Sequence, residues 1–171
     1  MYRASRRTVT LSLLALLAAC GKPKSKFRTY DGPPITQISV NKGQRRMYLL
    51  SGQKVLKSYD IGLGNEPIGH KKFEGDGKTP EGVYFIDRFN PRSQYHLSVG
   101  ISYPNAEDAA YAQAFARSAG GDIFIHGRGP EGNAKAPKLR DWTAGCIAVK
   151  DEEIEEIYAM LRPGVPVVIN A

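Results

Sequence analysis

The 171-residue chain predicts a mainly β fold, a β-sandwich or barrel carrying two short helices. Three observations lead there. Short runs rich in β-branched and aromatic residues recur along the chain, several with period-two alternation. Eighteen glycines and eleven prolines punctuate them too often for long helices. Only two stretches carry helical signals.

The strands read in order. ITQISV (35–40) alternates apolar and polar residues, NKGQ turns the chain, and RMYLL (46–50) runs back. SGQ makes a second turn before VLKSYDIGL (55–63), which completes a meander. GVYFIDRF (82–89), YHLSVGI (95–101), DIFIHG (122–127), GCIAV (145–149) and VPVVI (165–169) are further strands. The first helix covers 106–119, with Asn105 as N-cap and Gly120-Gly121 as its stop. The second starts at Asp151, which caps its free N–H groups, while Glu152 and Glu153 favour its positive end. There Ile154, Ile157, Tyr158 and Leu161 share one helical face.

Ahead of these elements, residues 1–19 form a leader. Arg3, Arg6 and Arg7 precede a short apolar stretch from Val9 to Ala19, too short to span a bilayer comfortably. Leu17-Ala18-Ala19-Cys20 has the form of a bacterial lipobox, so Cys20 is the expected lipidation site and first residue of the mature chain. Residues 20–34, polar and rich in proline and glycine, read as a flexible tether, and 35–171 as one domain long enough for a real core. Without the leader the balance is 21 Lys+Arg against 17 Asp+Glu, a mild +4. No basic run interleaves with aromatics as a nucleic-acid groove requires.

With Cys20 lipidated, Cys146 is the one thiol left in the mature chain. An oxidising compartment offers it no intramolecular partner, and one cysteine with three scattered histidines makes no metal site. An inert buried cysteine and a nucleophile both stay open. A nucleophilic thiol needs a base, and His126 ends an apolar strand where Gly127 starts a long polar excursion, residues 127–142. Gly145 allows a tight turn before Cys146 whose N–H groups could serve an oxyanion. His70 and His96 read as structural, and Asp76, Lys78 and Thr79 as turn-forming. Asp141 and Trp142 are candidates for a cleft wall. Arg128, Lys135, Lys138 and Arg140 form a basic loop.

These residues resemble the L,D-transpeptidase catalytic domain, or YkuD domain. Its signature is His-Gly, a gap, then Ser/Thr-His-Gly-Cys and an apolar residue. His126-Gly127 and Thr143-Ala144-Gly145-Cys146-Ile147 match it in order and spacing. GHKKFEGDGKTPEGVYFI (69–86) and YHLSVGISYPN (95–105) are similar to the YafK-like branch of the family. The resemblance implies a periplasmic enzyme acting on peptidoglycan stem peptides, with no cofactor. Cys146 would be its nucleophile and His126 its general acid/base, with the Gly127 main-chain carbonyl orienting the ring. It further implies a thioester acyl-enzyme passed to an amine, or to water in a carboxypeptidase or endopeptidase. By the same resemblance an outer-membrane lipoprotein would be a further acceptor or substrate. The expected location is the periplasm of a Gram-negative bacterium, tethered by lipid to a membrane, the outer one favoured. Ala144 stands where the signature has histidine, and Ala148 where the family often has a polar residue two after the cysteine, which leaves open how substrate is held. A wall-binding lipoprotein with a retired site is the rival from another class.

Overall fold

A computed structural model describes residues 25–171; the leader and Cys20 lie outside the described residues. Eight strands form one curled sheet. Strands β1 (Gln37–Asn41), β2 (Arg46–Ser51) and β3 (Lys54–Asp60) form the antiparallel meander read from the sequence. Their pattern is the reason: Ile38, Val40, Met47 and Leu49 bury completely, while the residues between them do not. Each such side chain contributes about 1.5–3 kcal/mol to folding.

Strand β4 (Gly82–Asn90) is followed by β5 (Ser98–Ile101), β6 (Phe124–His126), β7 (Ile147–Ala148) and β8 (Pro166–Asn170). The order across the sheet is β3-β2-β1-β8-β4-β5-β6-β7. The two outer members meet again at one end. Gly62, just past β3, bridges Ala148 of β7, and Gly64 bridges Thr143. The curl is thus pinned at this seam, which gives the barrel-like closure expected of the sequence.

Among the described residues three helices accompany the sheet, not two. Helix α1 (Ala106–Ala114) has the expected Asn105 cap, reinforced by Asp108 in a reciprocal capping box. It ends five residues earlier than the sequence suggests, because Ala116 turns left-handed (φ 53) before the two glycines are reached. Helix α2 (Gly129–Lys135) lies inside the polar excursion of residues 127–142, where the sequence predicts a loop. Two of its signals were legible: Pro130 in its first turn and a Glu131–Lys135 pair at 2.6 Å, spaced i,i+4. Its glycines obscured them. The excursion itself has a topological cause. Strands β6 and β7 run parallel, so the chain must travel back before it can pair again.

Helix α3 (Asp151–Met160) buries Ile154, Ile157 and Met160, with Leu161 just beyond it. Tyr158 instead packs its ring on Phe89 and Phe27. The helix is capped by Glu153, whose carboxylate accepts the Lys150 N–H at 2.8 Å. Asp151, the cap expected from the sequence, faces elsewhere. Of the predicted tether, residues 20–34, the described part lies against the domain from Lys26 onward: the Lys26 ammonium donates to Pro91 O (2.7 Å) and His96 O (2.9 Å), and Arg28 pairs with Glu155 (2.8 Å).

Candidate active site

The parallel pairing of β6 with β7 places Ile125 opposite Ile147 and His126 opposite Ala148. Both isoleucines are fully buried in the core. By strand alternation, His126 turns to the other face, and Cys146, two residues before Ala148, shares that face. His126 and Cys146 line one cleft of about 430 Å³, together with Ser93, Tyr95, Asp122 and Phe124. The two side chains that the sequence singled out sit diagonally across one strand pair.

The imidazole is held on three sides. Nδ1 lies 2.5 Å from Gly127 O. A carbonyl only accepts, so Nδ1 carries the proton and Nε2 keeps its lone pair. Tyr95 stacks on the ring at 4.6 Å and 29°, and Trp142 meets it edge-on at 5.7 Å and 75°. No described side-chain N or O is both buried and unpartnered, and Nε2 has no protein partner, so it opens onto the cleft. Burial holds the ring's pKa below its ordinary value, against the opposing pull of the Gly127 carbonyl and the Asp151 carboxylate. The imidazole is neutral at neutral pH.

Cys146 is also neutral at rest. Burial pushes its thiol above the usual cysteine range, and the Phe124 N–H donated to Sγ at 3.4 Å offsets this only in part. Sγ–H in turn donates to Asp122 O at 3.5 Å. Raised in this way, the thiol keeps its proton at neutral pH.

The turn before the cysteine is self-contained. Thr143 Oγ1 donates to Cys146 O at 2.7 Å and accepts the Gly145 N–H at 3.2 Å. The Gly145 amide is thus engaged inside the turn, whereas the Cys146 N–H has no acceptor among the described residues. Gly145 is required there twice over: its φ is +141, and a Cβ would stand 2.7 Å from Lys78 O. The loop bearing Lys78 is anchored by the buried Lys42, whose ammonium donates to Gly69 O, Thr79 O and Glu81 Oε1 at 2.6–2.8 Å.

Several residues have roles that sequence reasoning did not assign. Asp151 Oδ1 accepts the N–H groups of Arg128 (2.7 Å) and Gly129 (2.8 Å), fixing the loop after the histidine. Tyr95, expected to open a strand at 95–101, lies instead in the turn before β5, and its contact with His126 had no signal in the sequence. The remaining candidates are structural. His70 accepts the Glu81 N–H at Nδ1 (3.0 Å) and donates from Nε2 to Asp108 (3.0 Å). His96 bonds Glu155, and Asp141 pairs with Arg45 and accepts the Leu63 N–H, away from the cleft. Asp76 gathers the N–H groups of Lys72, Phe73 and Lys78 into a turn, as expected.

Comparison with known proteins decides the family. The profile of the YkuD L,D-transpeptidase catalytic domain matches residues 35–169. The chain belongs to the L,D-transpeptidase family. Among its relatives is YafK of Escherichia coli strain K12, a candidate L,D-transpeptidase, 30% identical over 138 residues. That match covers 78% of this chain and 49% of YafK, so the chain spans about half the length of the curated relatives it matches. The helical cell shape determining protein Pgp2 of Campylobacter jejuni superposes with a TM-score of 0.60 at 27% identity, over 82% of this L,D-transpeptidase-family chain and 49% of Pgp2. An L,D-transpeptidase of Mycobacterium smegmatis shares the fold at 13% identity and a TM-score of 0.53, over 79% of this chain and 58% of its own.

Proposed function

We propose that this domain is a peptidoglycan L,D-transpeptidase working through a Cys146 thioester. The observation that carries the reading is the common cleft: a thiol and an imidazole Nε2 with a free lone pair open onto it from adjacent strands. Because both groups are neutral at rest, substrate binding and proton transfer are coupled. As Sγ attacks the carbonyl at the L-centre of diaminopimelate, its proton passes to Nε2, and the resulting imidazolium is steadied by the Gly127 carbonyl and Asp151. The Cys146 N–H is the amide of this turn left to meet the oxyanion, since Thr143 engages that of Gly145. Collapse expels D-alanine, which takes the proton from Nε2, and leaves a thioester. An incoming amine then gives its proton to Nε2, attacks the thioester and returns Sγ to the thiol.

Water in place of the amine makes the same site a carboxypeptidase or endopeptidase. The Cys20 lipobox supports export and anchoring to a membrane, the outer one favoured, where the wall and its lipoproteins are within reach. Incubation of purified muropeptides with the protein tests the reaction. Dimers or amino-acid exchange products are expected; tripeptides or released lipoprotein alone would replace transfer with hydrolysis. Carbapenem treatment followed by mass spectrometry tests the nucleophile. The expected adduct is lost in Cys146→Ala, and its absence from the wild-type protein would leave a wall-binding module.

A further inference from the structure

Beside the thiol cleft lies a second concavity of about 310 Å³, to which the reaction above assigns nothing. Its walls carry three cations, Arg128, Arg140 and Lys150, and one acid, Asp60. Asp60 already pairs with Arg46 at 3.0 Å and sits at a looser 3.5 Å from Arg140. The guanidinium of Arg128 and the ammonium of Lys150 have no hydrogen bond or ion pair among the described residues. Arg140 is steadied by Ile61 O (3.3 Å) and Arg45 O (3.4 Å). Three like charges facing one small space repel one another, and an anion placed between them relieves this.

The cavity is also coupled to the site. Trp142 is one of its walls, and the same ring abuts His126 and Tyr95, which line the thiol cleft. Ala148 lines it from the position opposite His126 in the strand register. One layer of aromatic side chains separates the two spaces, and the apolar Ile61, Ala136 and Ala148 give the second one a floor for a peptide stem.

We propose that this basic cavity binds a carboxylate of the wall peptide while another part of that peptide lies at Cys146. The proposal rests on the stem-peptide reading above. It makes Arg128 and Lys150 the residues that discriminate carboxylate from carboxamide, with Arg140 a fixed third charge.

Trp142 is the one tryptophan of the chain, so its fluorescence reports binding in either space it borders, and the cavity variants separate the two. The full-length Cys146→Ala protein is titrated with a diaminopimelate-containing stem tetrapeptide, with its fully amidated counterpart, and with inorganic phosphate. A saturable change is expected with the tetrapeptide. Binding weakens by about tenfold or more on amidation, and by a similar factor in Arg128→Gln/Lys150→Gln, whose fold is checked by its thermal melt. Equal affinity for the amidated peptide, or no change in the folded double variant, overturns the proposal. Phosphate saturating at the same concentration as the peptide also overturns it, leaving a general anion site. The wild-type protein separates the two readings. If it turns muropeptides over while these titrations fail, the cavity assignment alone is lost; if it neither turns them over nor forms a carbapenem adduct, the stem-peptide reading falls first.

Discussion

Asp151 Oδ1 accepts the Gly129 N–H at 2.8 Å, joining the helix that follows the cysteine to the loop that follows the histidine. The same oxygen takes the Arg128 N–H, and Oδ2 takes Asn133 Nδ2 at 2.9 Å. Asp151→Ala leaves these donors without partners and removes the carboxylate that favours the His126 imidazolium. The expected loss is about 2 kcal/mol of stability, measured by denaturant unfolding, with a fall in kcat larger than any change in KM. An unchanged kcat would confine Asp151 to a structural role.

The pH dependence follows from the neutral pair. His126 titrates below its ordinary value of about 6.5, so kcat/KM rises with pH through an acid limb lying below that value and is level at neutrality. The raised Cys146 pKa predicts no thiolate ultraviolet absorbance at neutral pH, read as the difference between wild type and Cys146→Ala. The same His126 shift has a consequence for stability. The unfolded imidazole takes up a proton first, so this contribution is complete above about pH 6.5 and is lost as pH falls toward the lowered folded value.

Gly145→Ala meets two obstacles, a φ of +141 and the Lys78 carbonyl. Loss of about 2 kcal/mol is expected, a fall in melting temperature of about 4–8 °C by calorimetry. Because the turn sets the direction of the Cys146 amide, carbapenem acylation slows even at temperatures where the variant is folded.

Lys26 grips both ends of the segment that carries Tyr95, through Pro91 O and His96 O. Lys26→Met is expected to lower kcat severalfold, because the ring stacked on His126 loses its outer restraint, with a shift in melting temperature of only about 2–4 °C. A kcat equal to wild type would show that the segment holds its place unaided.

Much of this architecture was legible in one dimension. The β1–β3 meander, β4 and β8 each announce themselves by alternation and turn residues, because local geometry dictates which side chains can face the core. Helix α3 was visible in the spacing of Ile154 and Ile157, and α1 in its Asn105 cap. His126-Gly127 and the Thr143–Cys146 turn stood out because a strand end followed by glycine is a local signal. Helix α2 was hidden, since Gly129 and Gly132 weaken any propensity argument and the helix persists by packing Trp142 against Gly132.

Strand and turn positions, and the prominence of Cys146 and His126 as candidates, follow from side chains that lie near one another in the chain. The surroundings of that pair, and the burial that lowers the His126 pKa and raises that of Cys146, arise only in three dimensions. Tyr95, Asp151, Lys26 and the cations at 128, 140 and 150 come from separate segments, and they meet because parallel pairing of β6 with β7 forces a crossover and the curled sheet brings Gly62 to Ala148. Burial and carbonyl contacts arise at that meeting, and they set the charge states on which the chemistry depends.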